Sequence, residues 1–584
     1  MKITDEMNAR IVIALLKAHG IRRVVLNPGS ANIAFSGGIQ HDPWFEIYSG
    51  VDERHSAYMA VGLAAETGEP VVLNCTGATA SRNYLPALTE AYYRKLPILV
   101  VASSHSFESL GNLVPQMIDR NSPPADCARY VLQCRVPHTR AQEAACVTDV
   151  NRAILELSRH GGGPVLINLE TEHNYRFLEV ETPPQYRVIH RTNSEAGKWP
   201  MIDANERVAV WIGTHRLFSE SEQRSLEGFA LRHDAVVLTD NTSSYCGANC
   251  VNMSLLGSQE FGWGDPGLKS MRPTLIISIG EISGDYDTYG FVSSARQCWR
   301  VSEDGEVRDH FRNLTQVFEM SEKWFFDHYS DGTAKGSEYF RQLKERVDGL
   351  RKATPDLPFS NLWIASQLIG KLPSRSRLHL GILNSLRSWN LQERRPDIFT
   401  CSNVGGFGID GCVSTMIGAS LASRDKLFFG VFGDLAFFYD LNSLGNRHIG
   451  NNLRILVVNN GCGAEFNMYN NAATKSGLTV NDYIAAGGHF GGRSRALLRN
   501  FSRDLGFEYL CAADKAEFAE AVERFVDPAS EHSIVFECFT DFADESNALK
   551  AVRIIQPEMR AGLKDSLKGM LPQNVKNVIK GLMK

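Results

Sequence analysis

Apolar residues in this chain collect into short continuous runs separated by helix-length amphipathic stretches. One set of runs covers 23–26, 71–74, 98–101 and 165–169, a second 207–212, 235–238, 275–279 and 298–301, and a third 427–432, 453–458 and 533–538. Runs of this kind are strands buried on both faces, because crossover helices cover both sides of a parallel sheet. The pattern therefore predicts an α/β fold of three domains, each a mainly parallel sheet flanked by helices: 1–180, 190–350 and 357–545. A polar connection around Pro183 and Pro184 separates the first two, and a linker at 354–358 precedes the third. A chain of 584 residues is also too long for a single core.

The last segment, 546–584, reads differently. From Leu563 the apolar positions Leu567, Met570, Leu571, Val575, Val578, Ile579 and Leu582 recur at helical spacing, interrupted at Pro572, while Lys564, Lys568, Lys576, Lys580 and Lys584 take the other side. This predicts a basic amphipathic helical tail that lies on an anionic membrane surface or docks on a partner enzyme, with packing on its own subunit as the alternative.

Composition narrows the function classes. The formal net charge is −5 with no strong basic patch, so nucleic acid is not an expected partner. Asp5 and Glu6 precede the apolar stretch 11–16, unlike the basic start of an export signal, and no run approaches the roughly 20 apolar residues of a membrane span. The expectation is a cytoplasmic protein, peripheral at the membrane if the tail binds there. Twelve cysteines lack regular spacing and read as reduced thiols.

Candidate chemistry sits at strand ends. Gly433-Asp434 closes the run 427–432 and Asn459-Asn460 closes 453–458, with 26 positions from Asp434 to Asn460 and a predicted short helix at 436–444 between them. Such a βαβ unit puts both polar tips on one sheet edge, where ligands of open α/β sheets bind. A hard cation bridging phosphates takes a carboxylate, an amide oxygen and a carbonyl, which Asp434, Asn460 and the Cys462 carbonyl could supply to Mg²⁺. The alternative is a pair of ordinary turns. Far upstream, Glu53 opens a predicted helix, 51–64, after a strand at 45–48; alone it reads as a first-turn acid favoured by the helix dipole.

Together these features resemble the thiamine diphosphate (ThDP) enzymes, and most of all the 2-succinyl-5-enolpyruvyl-6-hydroxy-3-cyclohexene-1-carboxylate synthases of menaquinone biosynthesis. The blocks that carry the resemblance are Asn27-Pro28-Gly29-Ser30, Val51-Asp52-Glu53-Arg54, Cys75-Thr76-Gly77-Ala78-Thr79-Ala80 with Asn83-Tyr84-Leu85-Pro86-Ala87, Gly408-Ile409-Asp410-Gly411 with Ser414-Thr415, and Gly433-Asp434-Leu435 leading to Asp440-Leu441-Asn442. They run in family order from about residue 20 to 470. The resemblance implies a pyrimidine-binding first domain, a Rossmann-like middle domain and a diphosphate-binding third. It implies that Glu53 hydrogen-bonds the cofactor's aminopyrimidine, that Ile409 wedges beneath the cofactor, and that Thr76, Asn83, Ser385, Gly408, Gly433, Asp434, Leu435 and Asn460 line its site. Gln116 resembles a glutamine that reaches the reacting centre. His55 and His105 are candidate proton donors, with a surface or capping role as the alternative for each. The middle domain has no Gly-x-Gly-x-x-Gly turn, so no nucleotide is assigned to it.

Three departures mark a divergent relative. Ala31, Val404 and Trp389 stand where the synthases carry arginine, with Arg387 near but out of register. Arginine forks bind carboxylates in two-point fashion, so their loss weakens recognition of a dicarboxylic donor and favours pyruvate or another small 2-oxo acid. The implied activity is decarboxylation of a 2-oxo acid with transfer of the acyl carbanion to an acceptor. Simple decarboxylation to an aldehyde, and a catalytically silent scaffold, are the competing readings. The resemblance also implies a homodimer or homotetramer.

Overall fold

The computed structural model describes residues 2–260 and 266–555, so the predicted tail beyond 555 lies outside the described residues. The residues form two compact units, Met1–Trp199 with Trp299–Met320, and Pro200–Cys298 with the chain from Ser321 onward.

The first unit is organised by six strands: β1 (Arg23–Leu26), β2 (Glu46–Ser49), β3 (Val71–Thr76), β4 (Ile98–Ser104), β5 (Tyr130–Cys134) and β6 (Val165–Glu170). They lie side by side in the order β2-β1-β3-β4-β6-β5, and every pair is parallel. The apolar runs end up in the core as their composition requires: Val72, Leu73, Leu99, Val101 and Ile167 have no exposed surface. A short antiparallel pair, Lys2–Thr4 with Phe177–Glu179, lies outside this sheet, and His190–Asn193 pairs in parallel with Leu314–Glu319.

In the second unit Val208–Ile212 pairs in parallel with Val236–Leu238 and Leu275–Ile279. Its larger sheet holds β7 (Arg377–Leu380), β8 (Phe399–Cys401), β9 (Phe428–Gly433), β10 (Leu453–Asn459), β11 (Glu508–Ala512) and β12 (Ile534–Phe539), in the order β8-β7-β9-β10-β12-β11, again wholly parallel. The two six-stranded sheets thus follow one path through space. In each, the chain steps one way after its first strand and then crosses to the other side. The crevice at that reversal lies beyond the carboxyl ends of β1 and β3 in one sheet and of β7 and β9 in the other, the usual ligand position in such folds.

The α/β architecture is as expected, with one local difference. The helix expected at 436–444 is an α-helix at Asp434–Tyr439 followed by a 3₁₀ turn at Leu441–Gly445. Asp440 interrupts it because its carboxylate turns away to bind the segment at 414, described below. At the C-terminal side a capped helix, Phe542–Arg553, runs through residue 545 into the stretch read as tail, with Asp541 accepting from the Ala543 N–H at 2.8 Å. No helix among the described residues is long and apolar enough to cross a membrane.

The centre of the second sheet sets its stability. Leu456 on β10 is fully buried between strands on both sides, so Leu456→Ala is expected to cost about 2–5 kcal/mol, read as a lower urea midpoint at unchanged slope.

Candidate active site

In the first unit the edge beyond β1 and β3 is built on a buried polar scaffold. Asn27, just past β1, donates through Nδ2 to the Gly50 carbonyl at 2.8 Å and to Ser56 Oγ at 2.9 Å, and its Oδ1 accepts from Tyr84 Oη at 2.6 Å. Asn32 donates to the Asn27 carbonyl at 2.9 Å and to Asn74 Oδ1 at 2.7 Å, while Asn74 donates to the Val101 carbonyl at 2.8 Å. All five side chains are buried and each makes at least one of these bonds, with Asn32 Oδ1 left without a partner, and together they hold the loop ends of three strands in one arrangement. Glycine is required here. A Cβ on Gly29 would stand 2.1 Å from Thr76 Cγ2, and one on Gly50 would stand 1.9 Å from Ser56 Oγ.

Glu53 is the first residue of helix α1 (Glu53–Thr67), which begins there because Asp52 caps it, accepting from the His55 N–H at 2.7 Å. Its half-exposed carboxylate is close to the end of β3: burial pushes the Cys75 thiol up to about 12, and Glu53 adds to that rise. The structure therefore brings Glu53 and Thr76 to one edge. Asn83, His55 and Gln116 are exposed, and no hydrogen bond among the described residues joins them to Glu53. Gln116 has a left-handed backbone, φ 65°, in the loop that follows β4. His105 follows β4 directly, and its Nδ1 lies 2.9 Å from Nε2 of His173, whose Nδ1 lies 2.9 Å from Tyr175 Oη. A surface role for His55 matches its exposure; His105 is instead tied into a histidine pair that sequence reading did not find.

In the second unit Asp434 closes β9 and is 4 % exposed. Its Oδ1 accepts from the Leu435 N–H at 2.8 Å and its Oδ2 from the Gly461 N–H at 2.6 Å. The second bond draws the loop after β10 onto Asp434, so Asp434, Leu435, Asn460 and Cys462 meet at one point. Gly461 has φ 81°, the left-handed region that favours glycine. Asn460 Oδ1 receives only a long 3.4 Å contact from the Cys462 N–H and stays available. Burial, offset in part by the two backbone donors and by Arg493, raises the Asp434 pKa to about 6. Asp434 makes no ion pair among the described residues, so a buried carboxylate waits here with an amide and a carbonyl oxygen nearby. That donor set fits a hard divalent cation.

Two supports position the rest. Asp440 accepts from the Ser414 N–H and from Ser414 Oγ, both at 2.6 Å. It thereby clamps the first turn of helix α2 (Cys412–Ala422), which follows the Gly408-Ile409 segment. Gly405, Gly406 and Gly411 have open space where a side chain would stand, leaving room beside that turn. Ser385, buried after β7, accepts from Asn361 Nδ2 at 3.1 Å, and Asn361 N–H donates to both carboxylate oxygens of Glu545 at 3.0 and 3.1 Å. Arg387 pairs with Glu465, and its guanidinium lies 5.4 Å from the Tyr286 ring centre. The Asp440–Ser414 clamp was legible only as neighbouring motif blocks; Glu465 carried no signal of its own.

Comparison with known proteins shows the family. Residues 8–123 match the family model described as thiamine pyrophosphate enzyme, N-terminal TPP binding domain. The chain is 30 % identical over 565 residues to the 2-succinyl-5-enolpyruvyl-6-hydroxy-3-cyclohexene-1-carboxylate synthase of Bacteroides fragilis, covering 94 % of this chain and 98 % of that one. The chain belongs to the thiamine pyrophosphate enzymes. Within them it is a relative of these synthases: that of Bacteroides thetaiotaomicron is 30 % identical over 562 residues, with 94 % and 98 % covered, and that of Flavobacterium johnsoniae 26 % over 564, with 93 % and 97 % covered. As a member of this enzyme family the protein has its cofactor-binding domain in the unit that carries Glu53.

Asp434 makes a signed prediction. Its folded pKa of about 6 lies above the ordinary 3.8, so the stability its protonated form contributes is present below about pH 4 and lost as pH rises through 6. In the metal-free protein Asp434→Asn should remove about 2 kcal/mol of that decline, measured as the difference in unfolding free energy between pH 4.5 and 7.5 in the variant and its parent.

Proposed function

We propose that this enzyme binds thiamine diphosphate through Mg²⁺ and uses it to decarboxylate a 2-oxo acid, passing the acyl carbanion to an acceptor. The observation that carries the reading is Asp434: a buried carboxylate with no cationic partner among the described residues, at the end of a central strand, beside the free oxygen of Asn460. Asp434, Asn460 and the Cys462 carbonyl would hold the metal, with Gly433 and Leu435 framing it. Gly408, Ile409 and Ser385 would line the cofactor, and Glu53 would face its aminopyrimidine ring, with Thr76 and Asn83 on the same side. When bound, the cofactor supplies the electron sink that lets carbon dioxide leave.

Glu53 is suited to its part by position. It keeps a half-exposed carboxylate at the first turn of α1, held in place by the Asp52 cap and by the buried asparagines beneath it. The relatives are named for a product that carries a succinyl group and a ring carboxylate. Here the three positions that hold arginine in those enzymes are apolar and packed away: Ala31 is 3 %, Val404 1 % and Trp389 1 % exposed. None can present a charge to a substrate. Arg387 does not replace them either, since Glu465 already neutralises it. This supports a donor smaller than a dicarboxylic 2-oxo acid, pyruvate being the simplest. The active species on this reading is a homodimer or homotetramer, as the family resemblance implies, and the protein acts in the cytoplasm.

Calorimetric titration tests the cofactor: uptake of thiamine diphosphate should require Mg²⁺ and should vanish in Asp434→Ala. Glu53→Gln should keep uptake yet lower turnover of a 2-oxo acid by at least about a hundredfold. A parent protein that takes up no cofactor with Mg²⁺ overturns the proposal. Product analysis with pyruvate, with and without an aldehyde acceptor, separates transfer from simple release; free acetaldehyde as the sole product in both would replace the transferase reading.

A further inference from the structure

Arg120 is a nearly buried cation, 8 % exposed, in the first unit. It is seated at the carboxyl ends of β4 and β6. Its Nη1 donates to the Ala102 carbonyl at 3.2 Å, its Nη2 donates to Ser104 Oγ, and its own carbonyl accepts from Asn168 Nδ2 at 3.1 Å. Gly77, the first residue past β3, makes room for it: a Cβ there would stand 3.3 Å from the guanidinium carbon and 2.9 Å from Ser104 Cβ. The group therefore sits on the sheet edge that carries Thr76 and His105, four residues after Gln116.

A guanidinium stays charged, and a buried charge is stable only when paired. No carboxylate comes within ion-pair distance of Arg120 among the described residues. Its charged neighbour is instead a second cation, Arg82, which donates to the Asp119 carbonyl at 2.7 Å. Burial, with Arg82 beside it, disfavours the Arg120 charge. The Asp119 side chain is engaged with its own chain, accepting from the Asn121 N–H at 2.8 Å. Arg82 and Arg120 both border a cavity of 30 Å³ whose wall is largely apolar, from Leu85, Leu88, Val100 and Leu166, with Asp119 and Asn168 at its polar side. That volume holds about two water-sized groups, the size of one carboxylate. A purely structural tie would need only the Ala102 and Ser104 oxygens; it does not account for two cations bordering one small cavity with no ion pair to either among the described residues.

We propose that Arg120 and Arg82 form a carboxylate-binding subsite that anchors the organic acid substrate, replacing the charges missing at positions 31, 389 and 404. The inference rests on the 2-oxo acid reading above for its substrate, but not for its test. Two-point arginine recognition is the natural chemistry, and two separate guanidiniums give it orientation as well as charge.

The experiment is calorimetric titration of the full-length protein, with thiamine diphosphate and Mg²⁺ present, using propionate, succinate and inorganic phosphate as probes that cannot be turned over. The parent should bind propionate or succinate, and Arg82→Gln and Arg120→Lys should each weaken that binding by about tenfold or more. Arg82 is exposed, so its variant keeps the test sound if Arg120→Lys fails to fold. A parent that binds neither acid, or binds phosphate alone, overturns the subsite, as do variants that bind both acids like the parent. Because no turnover is read, a protein that binds acids through these arginines yet decarboxylates nothing keeps the subsite and sinks the activity. Turnover whose KM for the 2-oxo acid is unmoved in both variants does the reverse.

Discussion

Much of this enzyme follows from a single unfavourable placement: the carboxylate of Asp434, desolvated at the tip of a central strand. Two backbone N–H groups soften the cost without removing it, which is why its pKa stands near 6. The neighbouring elements are shaped around Asp434: Gly461 takes a left-handed turn to bring its N–H to the carboxylate, and Asp440 breaks its own helix to clamp Ser414. Local regularity is given up in both places for a preorganised polar pocket.

The same sheet path occurs in both units, but their crevices are furnished by opposite means. In the second unit the edge carries a buried carboxylate with no ion pair among the described residues. In the first unit the edge is tied together by Asn27, Asn32, Asn74, Ser56 and Tyr84, with Asn32 Oδ1 alone left without a partner. A densely bonded buried network is rigid, and rigidity is what a carboxylate such as Glu53 needs if it is to address one ring atom of a bound molecule. One fold thus supplies a charge trap and a positioning frame, and the difference resides entirely in the residues at strand ends.

On the proposed reading the residues at 31, 389 and 404 offer a substrate no charge, because all three are apolar and absorbed into the core. Cations that remain near the edges behave differently from one another. Arg387 is neutralised by Glu465, whereas Arg82 and Arg120 converge without an acidic partner among the described residues.

By itself the sequence determined the layers, because continuous apolar runs between amphipathic stretches can be buried only as parallel strands under helices. It also located Glu53, Asp434 and Asn460, since strand ends and helix starts are local features with local signatures. Gly29 left a trace too, within the block that follows the first strand, though the contact with Thr76 that demands it did not. What tertiary structure alone decided was pairing at a distance: Asn27 with Tyr84, Asp440 with Ser414, His105 with His173, Arg387 with Glu465. It likewise decided that Arg120, an ordinary loop residue by spacing, is buried against Gly77 beside a second cation. Partners brought together by sheet order from 26 to 78 residues apart leave no periodic mark in one chain. Whether a charge is paired is therefore a property of the fold.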